Sequence, residues 1–496
     1  MNQYSKLIAL FSEIGKSAEM KPEVIPQAHQ LRVAKKLVTK SPKMLVYHGL
    51  GTGKTLASIL AAEAAKKKFG DDYGVIAPAS LRENFQKEVD RFTTGSEPEI
   101  LSYTGAALGK KFKQPPKTII VDEAHRLRSP TSAATEAIAR AANRANQLML
   151  LSGSPIVNEP SDLATPLSML TGFKIDPEDF NKAFIRKKRV DPGFFAKLRG
   201  IMPGERETIR NEHILRKLLE NKVDYQPGKL PEGVSINEQL IKVPLTQEQQ
   251  RIQSAIREKI PLKFLWKLDR EFPLSAEESK RLNSFMTGLR QVGLSTSPFR
   301  ADKNLIKSFQ QSGKLTEALK NLKQVLQEDK RKKALIYSNY IGAGLDPYAA
   351  ALAKEKIPYG FFHGGVKERE RKKAVDAYNA GKLRALLIGP AGAEGLSTKG
   401  TSLIQILDPH FHESRTQQAK GRGLRFDSHV GLPEELKDVI IQKYISQAEE
   451  PSFFSKMLGA KKYRTGDEII EGIAREKEDL NNKFREILKQ VGSHHS

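Results

Sequence analysis

A lysine and a threonine, Lys54 and Thr55, stand at the end of a glycine-rich turn, where they could hold a phosphate group and its metal ion. The apolar run Met44–Tyr47 precedes the turn, and an alanine-rich segment of good helix formers follows it. Gly51 and Gly53 would let backbone N–H groups point inward as a cradle for phosphate oxygens. Lys54 would reach the β- and γ-phosphates, and the Thr55 hydroxyl would hold Mg²⁺. This order of strand, loop and helix predicts a phosphate-binding loop.

One position departs from the G-x-x-x-x-G-K-[ST] pattern of such loops. His48 occupies the place of the first glycine, and Gly49 comes one residue later. We expect the loop to keep its flexibility, because the glycine is displaced rather than lost. The alternative is a glycine-rich turn that binds no phosphate.

Two acidic residues, Asp122 and Glu123, follow the β-branched run Thr118–Val121, which is typical of a strand buried on both faces. In a chain that already has a phosphate-binding loop, this pair fits ATP hydrolysis. Asp122 would bind Mg²⁺ through its water shell, and Glu123 would orient or deprotonate the attacking water. The alternative is an acid pair that caps a helix.

Other apolar runs in the first part of the chain also end in small or polar residues. Tyr73–Ala77 ends at Pro78, and Gln147–Leu151 ends at Ser152. Helical patterns separate these runs. The alternation therefore predicts an open parallel sheet that binds ligands at its carboxyl edge.

The alternation of strands and helices weakens after Ile156 and returns at Ala334. Helical patterns dominate in between, and the basic cluster Arg186–Arg189 suits either nucleic acid or a solvated helix face. From Ala334 onward the pattern predicts a second sheet without a phosphate-binding loop, with strands at Ala334–Asn339, Tyr359–Phe362, Ala385–Ile388 and Leu403–Leu407.

Two arginines in this second half, Arg422 and Arg425, are three residues apart and so share one helix face. A second sheet that supplies arginines to a nucleotide held by the first is the economical interpretation. Arginine placed on a γ-phosphate stabilises the charge of the transition state. The alternative is surface ion pairing or contact with nucleic-acid phosphates.

The composition narrows the classes of partner. Of 496 residues, 82 are lysine or arginine and 58 are aspartate or glutamate, and the net charge of +24 favours nucleic acid. Simple solubility or an acidic protein partner is the alternative. The absence of cysteine excludes disulfides, cysteine-ligated zinc and a thiol nucleophile. No run of 18 apolar residues occurs, and Leu7–Phe11 is too short for a signal peptide, so we predict neither a membrane span nor secretion.

In their order along the chain, these segments resemble the motifs of superfamily 2 helicases. Within that superfamily they are most similar to the Swi/Snf-like DNA translocases of compact viral or phage type, a group that includes poxvirus nucleoside triphosphate phosphohydrolase I. The resemblance covers most of residues 25–430. Five segments carry it: a Walker A segment at Gly51–Thr55, a DEAH box at Asp122–His125, a T-G-T-P-like motif at Ser152–Pro155, an A-G-x-x-G-L-N-like motif at Gly392–Ser397 and a Q-x-x-G-R-x-x-R-like motif at Gln418–Arg425.

The resemblance implies a role for each matching residue. Nucleotide binding would involve Gln30, Gly51, Thr52, Gly53, Lys54, Thr55 and Gln418, and metal binding would involve Thr55 and Asp122. The implied catalytic residues are Lys54, Glu123, Arg422 and Arg425. Coupling of hydrolysis to movement would involve His125, Ser152, Ser154 and Gly395. Contact with nucleic acid would involve Pro78, Ser80, Asn339 and Ser397.

We therefore predict an α/β protein with two RecA-like parallel-sheet lobes, a helical insertion between them and a helical C-terminal tail. The expected divisions are an N-terminal helical extension (1–24), lobe 1 (25–200), the helical insertion (201–330), lobe 2 (331–430) and a C-terminal helical brace (431–496).

The predicted activity is a DNA-dependent ATPase that binds ATP and Mg²⁺ in the cleft between the lobes and moves along double-stranded DNA through phosphate contacts. The alternatives are a strand-separating or branch-migrating helicase and an ATP-gated clamp or remodeller acting on a polymerase or other protein. RNA is a lesser option as substrate. We further expect a monomer with a replication or transcription protein as partner, located in the cytoplasm, nucleoid or nucleus of the host cell.

The role implied for Arg425 gives the first prediction. Arg425→Ala should leave ATP binding intact and lower the turnover on the order of a thousandfold, because the guanidinium acts on the transition state and not on the bound nucleotide. Equilibrium binding of a fluorescent ATP analogue and steady-state ATPase rates measure the two effects separately. Near-normal turnover would remove the arginine from this role.

Overall fold

The computed structural model describes residues 20–21, 23–70, 72–229, 233–390, 398–409, 428–449 and 463–493. Its strands, numbered along the chain, are β1 (Lys43–His48), β2 (Tyr73–Ala77), β3 (Glu99–Ser102), β4 (Thr118–Val121), β5 (Gln147–Ser152), β6 (Ile185–Val190), β7 (Gly204–Ile209), β8 (Val223–Gln226), β9 (Ser235–Pro244), β10 (Ala334–Tyr337), β11 (Tyr359–Phe362), β12 (Ala385–Ile388), β13 (Leu403–Ile406) and β14 (Asp438–Gln447).

The α-helices of the described residues are α1 (Ala28–Thr39), α2 (Lys54–Phe69), α3 (Arg82–Phe92), α4 (Tyr103–Ala107), α5 (Ala133–Arg144), α6 (Ala164–Thr171), α7 (Pro177–Phe184), α8 (Phe194–Leu198), α9 (Glu212–Leu219), α10 (Gln247–Arg257), α11 (Leu262–Asp269), α12 (Ala276–Leu294), α13 (Leu305–Gln310), α14 (Gly313–Glu328), α15 (Asp346–Lys354), α16 (Glu368–Asn379) and α17 (Gly466–Ser493). Each of these helices is too short or too polar to cross a lipid bilayer.

Two six-stranded sheets form the framework. The first has the order β3-β2-β4-β5-β1-β8, and the second has the order β11-β12-β10-β13-β14-β9. All neighbouring strands within each sheet are parallel. Parallel strands need crossover connections, and helices supply them along most of both sheets. The predicted α/β class with two RecA-like parallel-sheet lobes is confirmed.

The chain divides into two compact units that each contain one sheet. Of the described residues, unit 1 takes those within Met1–Arg186, Thr208–Lys229 and Asp479–Ser496, and unit 2 takes those within Lys187–Glu207 and Leu230–Glu478. The predicted domain bounds stay a prediction.

Unit 1 is built around strands that are buried on both faces. Every residue of β2, β4 and β5 is buried, as expected for a parallel sheet covered by helices on both sides. The last part of α17 completes one face of this core, where Phe484 and Leu488 are fully buried together with Phe180 and Leu215. The Phe180 and Phe484 ring centroids are 5.9 Å apart.

Unit 2 has the same construction around β10, β12 and β13, whose residues are all buried. The first part of α17 packs here, with Ile469 and Ile470 in one cluster with Met286 of α12. A buried ion pair between Lys314 and Asp467 also joins α17 to α14.

Three segments differ from their predicted secondary structure. Residues 201–330, predicted as a helical insertion, also contain three strands. β7 pairs with β6 in a two-stranded sheet, and β8 and β9 are edge strands of the first and second six-stranded sheets. Residues 438–447, within the predicted helical tail, form β14, which pairs over ten residues with β9. This segment is rich in β-branched residues, which favour strands. The basic residues Arg186–Arg189 lie in β6, so a solvated helix face is the wrong interpretation for them.

A buried lysine in unit 2 gives a prediction about pH. Burial lowers the pKa of Lys333 to about 8, and its ammonium donates to the carbonyl oxygen of Tyr378 at 2.8 Å. Between this pKa and the ordinary value of 10.5, the unfolded chain binds the proton and the folded chain does not. The free energy of unfolding should therefore rise with pH across that window.

Lys333→Met should remove this contribution, whereas Lys330→Met, at an exposed position, should keep it. Urea unfolding at about pH 7.5 and about pH 10 measures the difference. An equal rise in stability for Lys333→Met and the unmodified protein would contradict the assignment.

Candidate functional site

The glycine-rich loop of unit 1 follows β1 and leads directly into α2. Gly51 and Gly53 have φ angles of 76° and 69°, in the left-handed region that favours glycine. The Thr52 hydroxyl donates to the carbonyl oxygen of Gly49 at 2.9 Å and closes the turn. The loop therefore has the local geometry of a cradle at a helix N-terminus.

Lys54, the first residue of α2, turns back over this loop. Its ammonium donates to the carbonyl oxygen of Gly49 at 3.2 Å. The ammonium also lies 3.5 Å from the position that a Cβ would take at Gly153, just after β5. Burial lowers the pKa of Lys54, and the carboxylates of Glu123 and Asp122 oppose that shift. A lysine held in this way is a preformed cation for a phosphate.

Asp122 and Glu123 follow β4, at the same edge of the sheet. The Asp122 amide donates to Ile76 at 2.8 Å and extends the ladder with β2, and Glu123 has a φ of 51°. The Tyr103 hydroxyl donates to the carbonyl oxygen of Asp122 at 2.8 Å. Burial and the charge of Glu123 raise the pKa of Asp122 to about 6, against the opposing charge of Lys54. The two acids and the lysine thus act on one another electrostatically.

The predicted coupling residues connect the ends of β4 and β5. His125 Nδ1 lies 3.3 Å from Glu123 Oε2 and 3.4 Å from the Ser152 hydroxyl. The Ser154 amide donates to that hydroxyl at 3.1 Å. The structure therefore brings three of the four predicted coupling residues together, and the fourth, Gly395, lies outside the described residues.

The donors at this edge of the sheet fit Mg²⁺ with a nucleoside triphosphate. Thr55 offers a hydroxyl and Asp122 a carboxylate, and oxygen ligands are those that Mg²⁺ prefers. A divalent cation would also offset the unfavourable proximity of the Asp122 and Glu123 charges. Within the described residues, His, Cys, Asp and Glu form no cluster of three that could hold a metal by themselves.

Gln30 in α1 contacts the backbone of the loop. Its side-chain nitrogen donates to the carbonyl oxygen of Thr52 at 3.2 Å, and its side-chain oxygen accepts from the Gln27 amide at 2.9 Å. A Cβ at Gly53 would lie 2.5 Å from this nitrogen, so a larger residue there would displace the end of the glutamine side chain. The structure places Gln30 beside the loop, and its predicted contact with adenine stays a prediction.

Sequence reasoning missed a buried charge cluster next to the loop. Asp224 of β8 accepts hydrogen bonds from His48 Nε2 at 2.7 Å and from Arg32 Nε at 2.8 Å, and the Lys36 ammonium lies 3.1 Å away. The Asp224 side chain is fully buried. The histidine that replaces the first glycine of the loop is thus one of three groups that share this carboxylate.

The protonation states of this cluster follow from its contacts. Burial alone would raise the pKa of Asp224, but hydrogen bonds from His48 and Arg32 hold it well below its ordinary value. Burial lowers the pKa of His48, which therefore donates from Nε2 as a neutral ring. His29 continues the network, because its Nε2 lies 2.8 Å from the carbonyl oxygen of Thr52 and its ring centroid lies 5.4 Å from that of His48.

The backbone after β8 also runs against the loop. The Gly49 amide donates to Gln226 at 2.8 Å, and the Lys229 amide donates to Leu50 at 3.0 Å. A Cβ at Gly49 would lie 2.2 Å from the Gly228 nitrogen, so the displaced glycine serves close backbone approach. Sequence reasoning missed these contacts because they join the loop to a strand that is distant in sequence, and local patterns do not reveal such proximity.

The residues predicted to contact nucleic acid are dispersed over both units. In unit 1, Pro78 and Ser80 follow β2, where Pro78 is buried and Ser80 is exposed. In unit 2, the Asn339 side chain donates to Asp408 at 2.6 Å, and the Ser338 hydroxyl donates to the same carboxylate at 2.7 Å.

Besides Gly395, four of the predicted site residues lie outside the part of the chain that the structure describes. Gln418 was predicted to bind nucleotide, Ser397 to contact nucleic acid, and Arg422 and Arg425 to act in catalysis. Their roles stay predictions.

Comparisons with known proteins agree with the motif order. A family model described as an SNF2-related domain matches residues 104–295, and one described as a helicase conserved C-terminal domain matches residues 317–427. A protein of Acanthamoeba polyphaga mimivirus named as an ATP-dependent RNA helicase is 26% identical over 465 residues, covering 90% of this chain and 92% of that protein. A termination factor NPH-I homologue of African swine fever virus is 24% identical over 555 residues, covering 90% and 75%.

One solved structure is also similar over most of its length. It is the SWI2/SNF2 ATPase core of Sulfolobus solfataricus in complex with double-stranded DNA, which is 17% identical and covers 95% of this chain and 98% of its own, with a TM-score of 0.35.

The Asp224 cluster gives a prediction about nucleotide binding. Asp224→Asn should raise the KM for ATP on the order of tenfold and change kcat less, because the loop and α1 lose their common anchor while Asp122 and Glu123 after β4 stay in place. The control is Asp302→Asn, which removes an exposed carboxylate paired with Arg300. His48→Gln should restore most of the affinity lost in His48→Ala, because its amide can still donate to Asp224.

Steady-state kinetics with thermal unfolding of the same samples separates this role from simple stability. A lower melting temperature with an unchanged KM would show that Asp224 only stabilises the fold.

Proposed function

Because the chain belongs to the Swi/Snf-like group of superfamily 2 helicases and is an ATP-hydrolysing enzyme, we propose that it is a translocase that moves along double-stranded DNA. Its proposed grip on DNA is mainly on phosphates, so binding is tolerant of sequence and weakens steeply with salt. The net charge of +24 supports a polyanionic partner.

The observation that carries the proposal is the arrangement at the carboxyl edge of the first sheet. The loop after β1, the acids after β4 and the hydroxyls after β5 all lie at this edge, because the three strands are parallel. Lys54 and the loop amides would bind the β- and γ-phosphates, and Thr55 and Asp122 would hold the metal. Mg²⁺, when bound, neutralises charge on the phosphate oxygens.

Glu123 is the proposed base. Its carboxylate would accept a proton from the attacking water, and its neighbour His125 would report the change to Ser152 at the end of β5. The contact from Glu123 through His125 to Ser152 thus gives hydrolysis a route to a second strand of the sheet. Arg422 and Arg425 remain the candidates for completing the site.

A second candidate function is an RNA-directed or strand-separating helicase. The name of the mimivirus relative, which refers to RNA, favours it. The name of the African swine fever virus relative, a termination factor, supports a transcription protein as partner. A monomeric state and a location in the cytoplasm, nucleoid or nucleus of the host cell are the remaining parts of the proposal.

Lys54→Ala should abolish ATP binding and hydrolysis, because it removes the cation that meets the phosphates. Glu123→Gln should keep ATP binding and lower the turnover by about a hundredfold or more, because an amide cannot accept the proton. Glu136→Gln, an exposed acid in α5, is the matched control and should behave like the unmodified protein. Activity that survives in both variants would refute the site.

The partner is tested by ATPase rates with double-stranded DNA, single-stranded DNA, RNA and no nucleic acid. The proposal expects the largest stimulation from double-stranded DNA, with triplex displacement but little separation of a forked duplex. Stimulation by RNA alone would favour the second candidate, and an ATPase indifferent to nucleic acid would favour a clamp.

A further inference from the structure

An exposed apolar surface lies on the short helix α8 of unit 2. Phe194, Phe195 and Leu198 are 70%, 77% and 70% exposed, and Met202 just after the helix is 66% exposed. Single exposed apolar side chains are ordinary, but four within nine residues form a patch of the kind that marks a binding surface. We name residues 187–207, which carry this patch, the basic arm.

The patch is held outward by a packed base. Ala196 and Ile201, on the other side of the arm, are 8% and 4% exposed. The Glu205 amide donates to the carbonyl oxygen of Leu274 at 3.2 Å. A Cβ at Gly204 would lie 2.0 Å from the carbonyl oxygen of Pro273, so the backbones touch there. The phenylalanines are therefore displayed by an anchored segment.

The arm also has an excess of positive charge. Its cations are Lys187, Lys188, Arg189, Lys197, Arg199 and Arg206, and its acids are Asp191, Glu205 and Glu207, which gives a net charge of +3. Lys263 places a further cation next to the arm, since its ammonium would lie 2.5 Å from a Cβ built at Gly200. Ion pairs such as Lys197 with Asp191, at 3.2 Å, are exposed and so contribute little. Nucleic-acid phosphates could therefore replace these carboxylates as partners of the lysines and arginines with little loss of free energy.

The two phenylalanine rings form a corner. Their centroids are 5.6 Å apart and their planes are inclined at 77°. A flat ligand could stack on the face of one ring while its edge meets the other ring. The faces of paired bases are covered by their neighbours in a duplex, whereas an unpaired base offers both faces.

We propose that the basic arm binds single-stranded nucleic acid, with an unpaired base in the corner formed by Phe194 and Phe195 and with neighbouring phosphates on the arm's lysines and arginines. Aromatic faces combined with a cationic surface are the usual means of holding a single strand. The proposal rests on the proposed function, which supplies the nucleic acid, and adds a site for unpaired bases to a motor that otherwise holds phosphates.

The test uses the full chain and a short single-stranded oligonucleotide with 2-aminopurine at its centre. Stacking on a phenylalanine changes the fluorescence of this base, so the probe reports contact with its face. The Phe194→Ala/Phe195→Ala variant should lose that signal and bind the oligonucleotide about tenfold or more weakly. Phe173→Ala, at a position in unit 1 that is 68% exposed, is the matched control and should change neither.

A second pair of variants separates stacking from simple apolar contact. Phe194→Leu/Phe195→Leu keeps an apolar surface but removes the rings, so it should behave like the alanine variant. Phe194→Trp/Phe195→Trp keeps aromatic faces and should retain binding. Lys188→Glu/Arg199→Glu should weaken binding and reduce its salt dependence, because fewer phosphates are neutralised.

The outcomes distinguish this proposal from the proposed function. If no nucleic acid stimulates the ATPase of the unmodified protein, the proposed function fails. If double-stranded DNA stimulates the ATPase and the alanine variant still binds the single strand normally, only the arm proposal fails. Leucine variants that bind as well as the unmodified protein would also overturn it. A change of elution volume in the alanine variant, with oligonucleotide binding unchanged, would assign the patch to contact between copies of this chain.

Discussion

The candidate nucleotide site of unit 1 depends on one buried carboxylate. Asp224 carries a negative charge in a fully buried position, and such a charge is tolerated only when it is paired and hydrogen-bonded. Arg32 and Lys36 from α1 and His48 at the end of β1 satisfy it together. One group thereby fixes the positions of the glycine-rich loop, the helix α1 that precedes it and the edge strand of the sheet relative to one another.

The rest of the site follows from the parallel sheet. Since β1, β2, β4 and β5 run in the same direction, every loop that follows them emerges at one edge, and short loops are enough to bring a cation, two acids and hydroxyls together. The strands are apolar and buried, so the polar chemistry is confined to residues just past their ends. This separation explains why a stable core and a charged site can occupy consecutive residues of the chain.

The sequence predicted best what is local. The glycine-rich loop and the acids after β4 could be predicted because strand, turn and helix signals adjoin these residues in sequence. The structural role of Asp224 could not be predicted, because it depends on a contact with His48, 176 positions away in the sequence. The strand β14 was difficult for the same reason: it lies in a segment that was predicted to be helical, and its pairing with β9 joins distant parts of the chain. Short-range patterns thus predicted the fold class and the candidate ATP site but not the contacts that brace it.

The first part of α17 packs in unit 2 and its last part packs in unit 1, which has a consequence for folding during synthesis. Its last turns, including Phe484 and Leu488, fill the core of the unit that begins near the N-terminus, and β14 occupies an interior position in the other sheet. During synthesis neither hydrophobic core is complete until α17 has left the ribosome. The nascent chain therefore exposes unfinished apolar surfaces until then, and chains that stop before α17 would be expected to depend on chaperones or to be degraded.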